Sequence, residues 1–290
     1  MKDRKLIDRL YDSVAEKGHV CLGLDTDLAY LPVEFLRAHA TPYDALYNFN
    51  KDIIDATLGV TAVYKVQIAY YEALGLSGLK VYADTLAYLR AKQAIVIADV
   101  KRGDIAKTAE MYALAHFEGD FEADFITVNP FMGMDTLRPF YSYLEKHDKG
   151  LFALVATSNP GASDIEGIIA TDGASVSEKV GGMLEEENKS FLGASGYGAI
   201  GAVVGCTNKE QTDKIRGRLP NTFFLIPGYG AQGGKAEDMK HYFKDGNGGV
   251  VNSSRGILLA RNKPEFAHMT FAEAARAETL RMREDIRSAL

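Results

Sequence analysis

Short apolar runs recur along the chain, and each is followed by a stretch of helical periodicity. The runs are 19–25 (HVCLGLD), 62–67 (AVYKVQ), 94–101 (AIVIADVK), 125–129 (FITVN), 151–157 (LFALVAT), 199–207 (AIGAVVGCT), 223–228 (FFLIPG) and 249–255 (GVVNSSR). Continuous runs rich in Val and Ile suit strands buried on both faces of a parallel sheet. Helical patterns fill the gaps at 45–58, 78–90, 105–118, 134–147, 175–192, 208–219, 236–244 and 271–289, and one more at 3–17 precedes the first strand. Eight alternating strand–helix units predict an α/β fold, a (β/α)8 TIM barrel with an extra N-terminal helix. An open doubly wound sheet is the competitor, but a count of eight closes a barrel. A length of 290 residues alone would also allow two domains. The strand count turns it into one barrel domain over 1–290. The longest stretch without periodicity, 158–174, leaves the C-terminal end of the fifth strand. A loop of that length in a compact domain is commonly a lid or binding loop.

Composition narrows the setting. Apolar residues at 47% and charged residues at 25% exclude a disordered or fibrous chain. A net charge of −6 argues against a general nucleic-acid binder, whose footprint would be basic. Cys21 and Cys206 form no CxxC pair, which excludes a disulfide framework and a zinc knuckle and fits a reducing compartment. The N-terminal stretch is charged throughout and unlike a signal peptide. No apolar run approaches the ~20 residues of a membrane span. A cytoplasmic protein without nucleic-acid or membrane partners is expected.

Functional residues of a barrel sit at the C-terminal ends of its strands. Those ends carry Asp25, Lys65, Asp99, Lys101, Asn129, Ser158 and Arg255. On the third strand, side-chain alternation puts Ile95, Ile97, Asp99 and Lys101 on one face. With the isoleucines filling the barrel, Asp99 and Lys101 rise into its mouth. Lys65 stands at the tip of the neighbouring strand, and Asp104 precedes the next helix. Lys65, Asp99, Lys101 and Asp104 then form a neutral, alternating set that titrates as a unit. Asp104 could instead be an N-cap. Asp99 and Lys101 could be a structural ion pair, although buried pairs stabilise little once desolvation is counted.

A second constellation follows strands seven and eight. Pro227-Gly228-Tyr229-Gly230-Ala231-Gln232-Gly233-Gly234 and Asn252-Ser253-Ser254-Arg255-Gly256 occupy the place where barrels often hold phosphate. Glycines admit the anion to backbone N–H groups, and an arginine supplies a bidentate donor. The plain alternative is a glycine-rich turn beside a surface arginine. None of the six histidines falls at a strand tip, which argues against a histidine triad or metal cluster. No GxGxxG follows a strand, so a nicotinamide cofactor is not expected. Cys21 and Cys206 read as core residues on strands one and six.

The block Asp99-Val100-Lys101-Arg102-Gly103-Asp104-Ile105 resembles the DxKxxDI signature of the orotidine 5′-phosphate decarboxylase family, in the wording of its longer bacterial subgroup. Leu24-Asp25, Lys65, Thr127-Val128-Asn129-Pro130, Thr157-Ser158-Asn159-Pro160-Gly161, the glycine-rich block from Pro227 and Ser254-Arg255-Gly256 agree with it in order, so the resemblance spans nearly the whole chain. It implies conversion of orotidine 5′-phosphate to uridine 5′-phosphate and CO₂, without metal or cofactor. By motif, Lys101 would protonate C6 and Asp99 would lie beside the substrate carboxylate. Lys65 and Asp104 would complete the charged array. Asp25 and Lys65 would hold the ribose, Ser158 the pyrimidine amide, and Gln232 and Arg255 the phosphate. The resemblance also implies a homodimer in which Asp104 and Thr108 reach the neighbouring subunit's site. DxKxxD alone is shared with magnesium-dependent phosphosugar lyases of the same superfamily. A non-catalytic phosphate-ligand binding barrel is the other alternative.

Overall fold

Alternation along each strand decides which of two apolar layers a residue joins. On the third strand Ile97 points into the barrel with Cys21, Val63, Phe125, Phe152 and Val250, whereas its neighbours Val96 and Ala98 join the layer beneath the helices. The computed structural model describes residues 4–206, 209–229 and 236–290. Its strands are β1 (Val20–Gly23), β2 (Val63–Gln67), β3 (Val96–Arg102), β4 (Phe125–Val128), β5 (Gly150–Ala156), β6 (Ile200–Val204), β7 (Phe224–Ile226) and β8 (Gly249–Ser253). All neighbours pair in parallel, and β8 closes on β1 through Val251 and Val20. The expected eight-stranded barrel is therefore closed, in chain order.

The helices are α1 (Leu6–Lys17), α2 (Val33–Arg37), α3 (Pro42–Thr57), α4 (Ile68–Glu72), α5 (Gly75–Ala91), α6 (Ala106–Phe117), α7 (Arg138–Lys146), α8 (Val176–Asn188), α9 (Lys209–Arg218), α10 (Arg255–Leu258) and α11 (Phe271–Ser288). Local chemistry fixes several of their starts. Thr41 caps α3 ahead of Pro42, and reciprocal capping boxes, Ser175 with Glu178 and Thr270 with Glu273, open α8 and α11. The extra helix α1 has a definite task. Its Leu6, Ile7, Leu10 and Val14 pack into the inner layer beside the first residues of the strands. Ser13 donates to the Ala62 carbonyl just before β2. Helix α1 thus seals the N-terminal end of the barrel and leaves the C-terminal end open.

Some expectations need correction. The segment 134–147 is a 3-10 turn (Met134–Thr136) followed by α7, whose start carries Pro139. The segment 236–244 is 3-10 over Ala236–His241 rather than α-helical. Cys206 lies beyond the end of β6 and is only half-buried, while Cys21 is fully inside the barrel. Arg255 does not sit on β8 but opens α10 two residues past its end. The long loop is not structureless. It holds a 3-10 turn (Pro160–Asp164) and an antiparallel bridge between Ile169 and Ser175.

Candidate active site

At the open end, the inward positions of three adjacent strands change from apolar to charged. Lys65 follows Val63 on β2, Asp99 follows Ile97 on β3, and Asp25 stands two residues past the end of β1. Lys65 Nζ lies 3.0 Å from Asp25 Oδ1 and 3.0 Å from Asp99 Oδ2, and Lys101 Nζ lies 2.6 Å from Asp99 Oδ1. The result is an unbroken line of alternating charge: Asp25, Lys65, Asp99, Lys101. Further side-chain donors serve the acids, Thr127 Oγ1 to Asp99 Oδ1 at 2.9 Å among them. Gln67 Nε2 donates to Asp99 Oδ2 at 2.9 Å, and Ser254 Oγ donates to Asp25 Oδ2 at 2.8 Å.

Burial separates the two lysines. The Lys65 side chain is 5% exposed and that of Lys101 is 47% exposed, so Lys101 is the cation free to meet a ligand. Burial alone would lower the Lys65 pKa, but Asp25 and Asp99 beside it outweigh that and hold it above the ordinary lysine value. Burial alone would likewise raise the Asp99 carboxyl, yet Lys65 and Lys101 hold it well below the usual carboxylate range. Both groups stay charged at neutral pH because each is the other's counter-ion. Beneath them, burial pushes the Cys21 thiol up, which keeps it neutral and unreactive.

Lys65, Asp99 and Lys101 of this line, with Thr127, form one wall of a cavity of about 260 Å³. Leu154, Val203 and Leu225 give it an apolar side, and Ser158, Asn159 and Pro227 stand at its rim. Two glycines make this crowding possible. A Cβ on Gly23 would fall 2.0 Å from Ser254 Oγ, and one on Gly205 would fall 2.8 Å from Ser158 Cβ. The Ser158 segment is latched from its own loop. The Glu166 carboxylate accepts hydrogen bonds from Thr157 N and Thr157 Oγ1, both at 2.7 Å. The backbone carbonyl of Glu166 accepts from Ser177 N at the start of α8.

Of the residues singled out from sequence, Lys65, Asp99, Lys101 and Ser158 line this cavity, and Asp25 joins them through Lys65. Asp104 is not part of the array within one chain: its Oδ1 accepts from Ile105 N at 2.8 Å. Nor is it an N-cap, since that position belongs to Ile105, whose side chain makes no capping bond. Thr108 is exposed on the first turn of α6. Arg255 is exposed at the head of α10, near enough to the Tyr30 phenol to act on it electrostatically. Gln232, with Gly230, Ala231, Gly233 and Gly234, lies outside the described residues.

Sequence reasoning gave no role to Gln67, Thr127, Asn252 or Glu166. Three of these were legible. Gln67 is two residues beyond Lys65, Thr127 two beyond Phe125, and Asn252 two beyond Val250, so period-2 alternation puts each on the inner face. Glu166 had no such signal, because its contact depends on how the loop folds back.

Residues 18–269 match the model of the Orotidine 5′-phosphate decarboxylase / HUMPS family. The chain is 59% identical over 285 residues to an orotidine 5′-phosphate decarboxylase of Clostridium acetobutylicum, an alignment covering 98% of this chain and 100% of that one. It is 56% identical over 285 residues to an orotidine 5′-phosphate decarboxylase of Clostridium perfringens, covering 98% and 99%. Among solved structures it resembles the OMP decarboxylase of Leishmania donovani, with a TM-score of 0.76, 28% identity and coverage of 98% of both chains. A closed barrel whose mouth carries Asp25, Lys65, Asp99 and Lys101, matched along nearly its full length, belongs to the orotidine 5′-phosphate decarboxylase family.

Proposed function

We propose that this chain decarboxylates orotidine 5′-phosphate to uridine 5′-phosphate, with Lys101 as the proton donor. The observation that carries the reading is the ordered line Asp25–Lys65–Asp99–Lys101 ending in a half-exposed ammonium over a small, partly apolar cavity. Loss of CO₂ from C6 leaves an electron pair in the ring plane that cannot spread into the ring as an enolate would. A fixed ammonium beside C6 stabilises that pair electrostatically and then protonates it. Lys65 keeps Asp99 ionised and in place next to the substrate carboxylate, whose departure relieves the crowding of like charges. The apolar side formed by Leu154, Val203 and Leu225 keeps the local dielectric low, which strengthens every charge interaction in the mouth.

Around this centre, Asp25 and Lys65 take the ribose hydroxyls and Ser158 the pyrimidine amide. Arg255 and Gln232 grip the phosphate, and this remote binding supplies energy used at C6. Asp104 and Thr108 act in the site of a second copy. Their accessibility on one chain supports this, as does the apolar surface that α6 and its approach present: Ile105 is 58% exposed, Met111 46% and Leu114 43%. The described residues build one barrel around shared layers, which supports a single domain over 1–290. No helix among the described residues is long and apolar enough to cross a membrane. Together with two unpaired cysteines this supports a cytoplasmic setting.

The test is the fall in absorbance as orotidine 5′-phosphate is consumed by the purified chain, with and without EDTA. Turnover indifferent to EDTA is expected. Loss of activity on chelation would point to the magnesium-dependent lyases, and tight binding without turnover to a non-catalytic barrel.

A further inference from the structure

The backbone at Lys101 is not that of a regular strand. Ala98 pairs with Ile126 and Arg102 with Val128, so β3 takes four residue steps where β4 takes two. Lys101 sits inside this bulge with φ +44°, a left-handed conformation that a side chain bearing Cβ rarely adopts. The bulge sets the direction in which the Lys101 side chain leaves the strand, and its Nζ lies 2.6 Å from Asp99 Oδ1. Something must hold the bulge, because both of its amides are turned away from ladder carbonyls.

One side chain does so. Thr127 Oγ1 accepts from Val100 N at 2.9 Å and from Lys101 N at 2.8 Å, and it donates to Asp99 Oδ1 at 2.9 Å. The hydroxyl's single donor and both acceptor positions are filled. The residue is only 1% exposed, although it stands in the cavity wall, so its three hydrogen bonds are made within the protein. Past the bulge the ladder resumes, with Asn129 N donating to the Arg102 carbonyl at 2.7 Å.

We propose that Thr127 is a positioning residue: its hydroxyl seats the β3 bulge and so fixes where the Lys101 ammonium stands relative to Asp99 and the cavity. The inference rests on Lys101 being the proton donor. It adds that the donor's placement is set from the neighbouring strand. Valine at this position would keep the shape and leave two buried amides without an acceptor, whereas serine would keep the acceptor.

The experiment compares Thr127→Val, Thr127→Cys and Thr127→Ser, with kcat expressed per uridine 5′-phosphate binding site so that unfolded protein does not count. Thr127→Val should lower kcat on the order of a hundredfold, the effect of misplacing a reacting group by about 1 Å. KM and uridine 5′-phosphate affinity should stay within about threefold, since the phosphate and ribose contacts are elsewhere. Thr127→Ser should restore most of the rate. If Thr127→Val gives no folded protein, Thr127→Cys, whose sulfur is a poor acceptor, is read against Thr127→Ser, and a loss of about tenfold or more supports the proposal. A kcat at the wild-type level in Thr127→Val or Thr127→Cys overturns it, as does a loss in Thr127→Ser as deep as in Thr127→Val. Lys101→Ala is assayed in parallel. If it still turns over, the proton-donor reading falls and the inference with it. If it is inactive while Thr127→Val turns over at the wild-type rate, the inference falls alone.

Discussion

Replacing Lys65 by methionine separates the two lysines that share Asp99. Lys65 is 5% exposed and lies 3.0 Å from both Asp25 and Asp99, so the substitution strands two carboxylates. Removing one partner of a buried pair typically destabilises by about 3–5 kcal/mol. Asp99 keeps Lys101, Gln67 and Thr127, and Asp25 keeps Ser254, which points to the lower end, about 3 kcal/mol. Lys101→Met removes a cation from the same carboxylate, but its side chain is 47% exposed, so solvent screening limits the loss to about 1 kcal/mol or less. The sign with pH follows from the direction of the shifts. In the wild type the Asp99 pKa is depressed, so its contribution is present above the unfolded carboxylate value of about 3.9 and is lost as pH falls through the folded value. In Lys65→Met the Asp99 carboxyl stays buried but loses the largest charge that lowers its pKa, so its folded-state pKa rises. The variant is therefore penalised most at neutral pH and recovers as pH falls. Urea unfolding of wild type, Lys65→Met and Lys101→Met at pH 7 and pH 5 reads both effects. The expectation is a Lys65→Met deficit that clearly exceeds that of Lys101→Met and narrows at pH 5. A Lys65→Met protein as stable as Lys101→Met, or a gap independent of pH, would refute the reasoning.

Three other outcomes follow from the same geometry. Arg255→Ala should raise KM roughly tenfold to hundredfold, the worth of charge-assisted hydrogen bonds, with kcat preserved at saturation; lost turnover with intact affinity would contradict the phosphate grip. Leu10→Ala, in the helix that seals the far end of the barrel, should cost about 2–5 kcal/mol in urea unfolding and leave kcat unchanged; a fall in kcat would mean that α1 does more than close the barrel. Mixing inactive Lys101→Ala with inactive Asp104→Ala should regenerate about a quarter of wild-type activity, because statistical exchange makes half the dimers hybrid and each hybrid carries one intact site; no recovery on mixing would place Asp104 in its own subunit's site.

The barrel was legible because parallel strands buried on both faces leave continuous apolar runs, and eight such runs admit few closures. The charged tips were legible for a related reason. Lys65 and Asp99 each end an inward apolar series, and no apolar core accepts such groups without a partner. What sequence could not reveal was how the groups are paired. Asp104, adjacent in the DxKxxD block, looked like the fourth member of the array, whereas Asp25 occupies that place within the chain by reaching Lys65 across β1 and β2. The nearness of Lys101 to Asp99 was expected from plain alternation, but the bulge that aims the Lys101 side chain, held by a hydroxyl on another strand, was not. The loop 158–174 is ordered by Glu166 folding back onto Thr157, a contact with no periodic trace. Features set by one strand's own pattern could be read, and features set between strands could not.

The central claim is that Lys101 delivers the proton to C6. Turnover of orotidine 5′-phosphate by Lys101→Ala, measured beside its affinity for uridine 5′-phosphate, tests this most directly. The account predicts that turnover is abolished while the phosphate-bearing product still binds. Near-normal turnover by Lys101→Ala would contradict it.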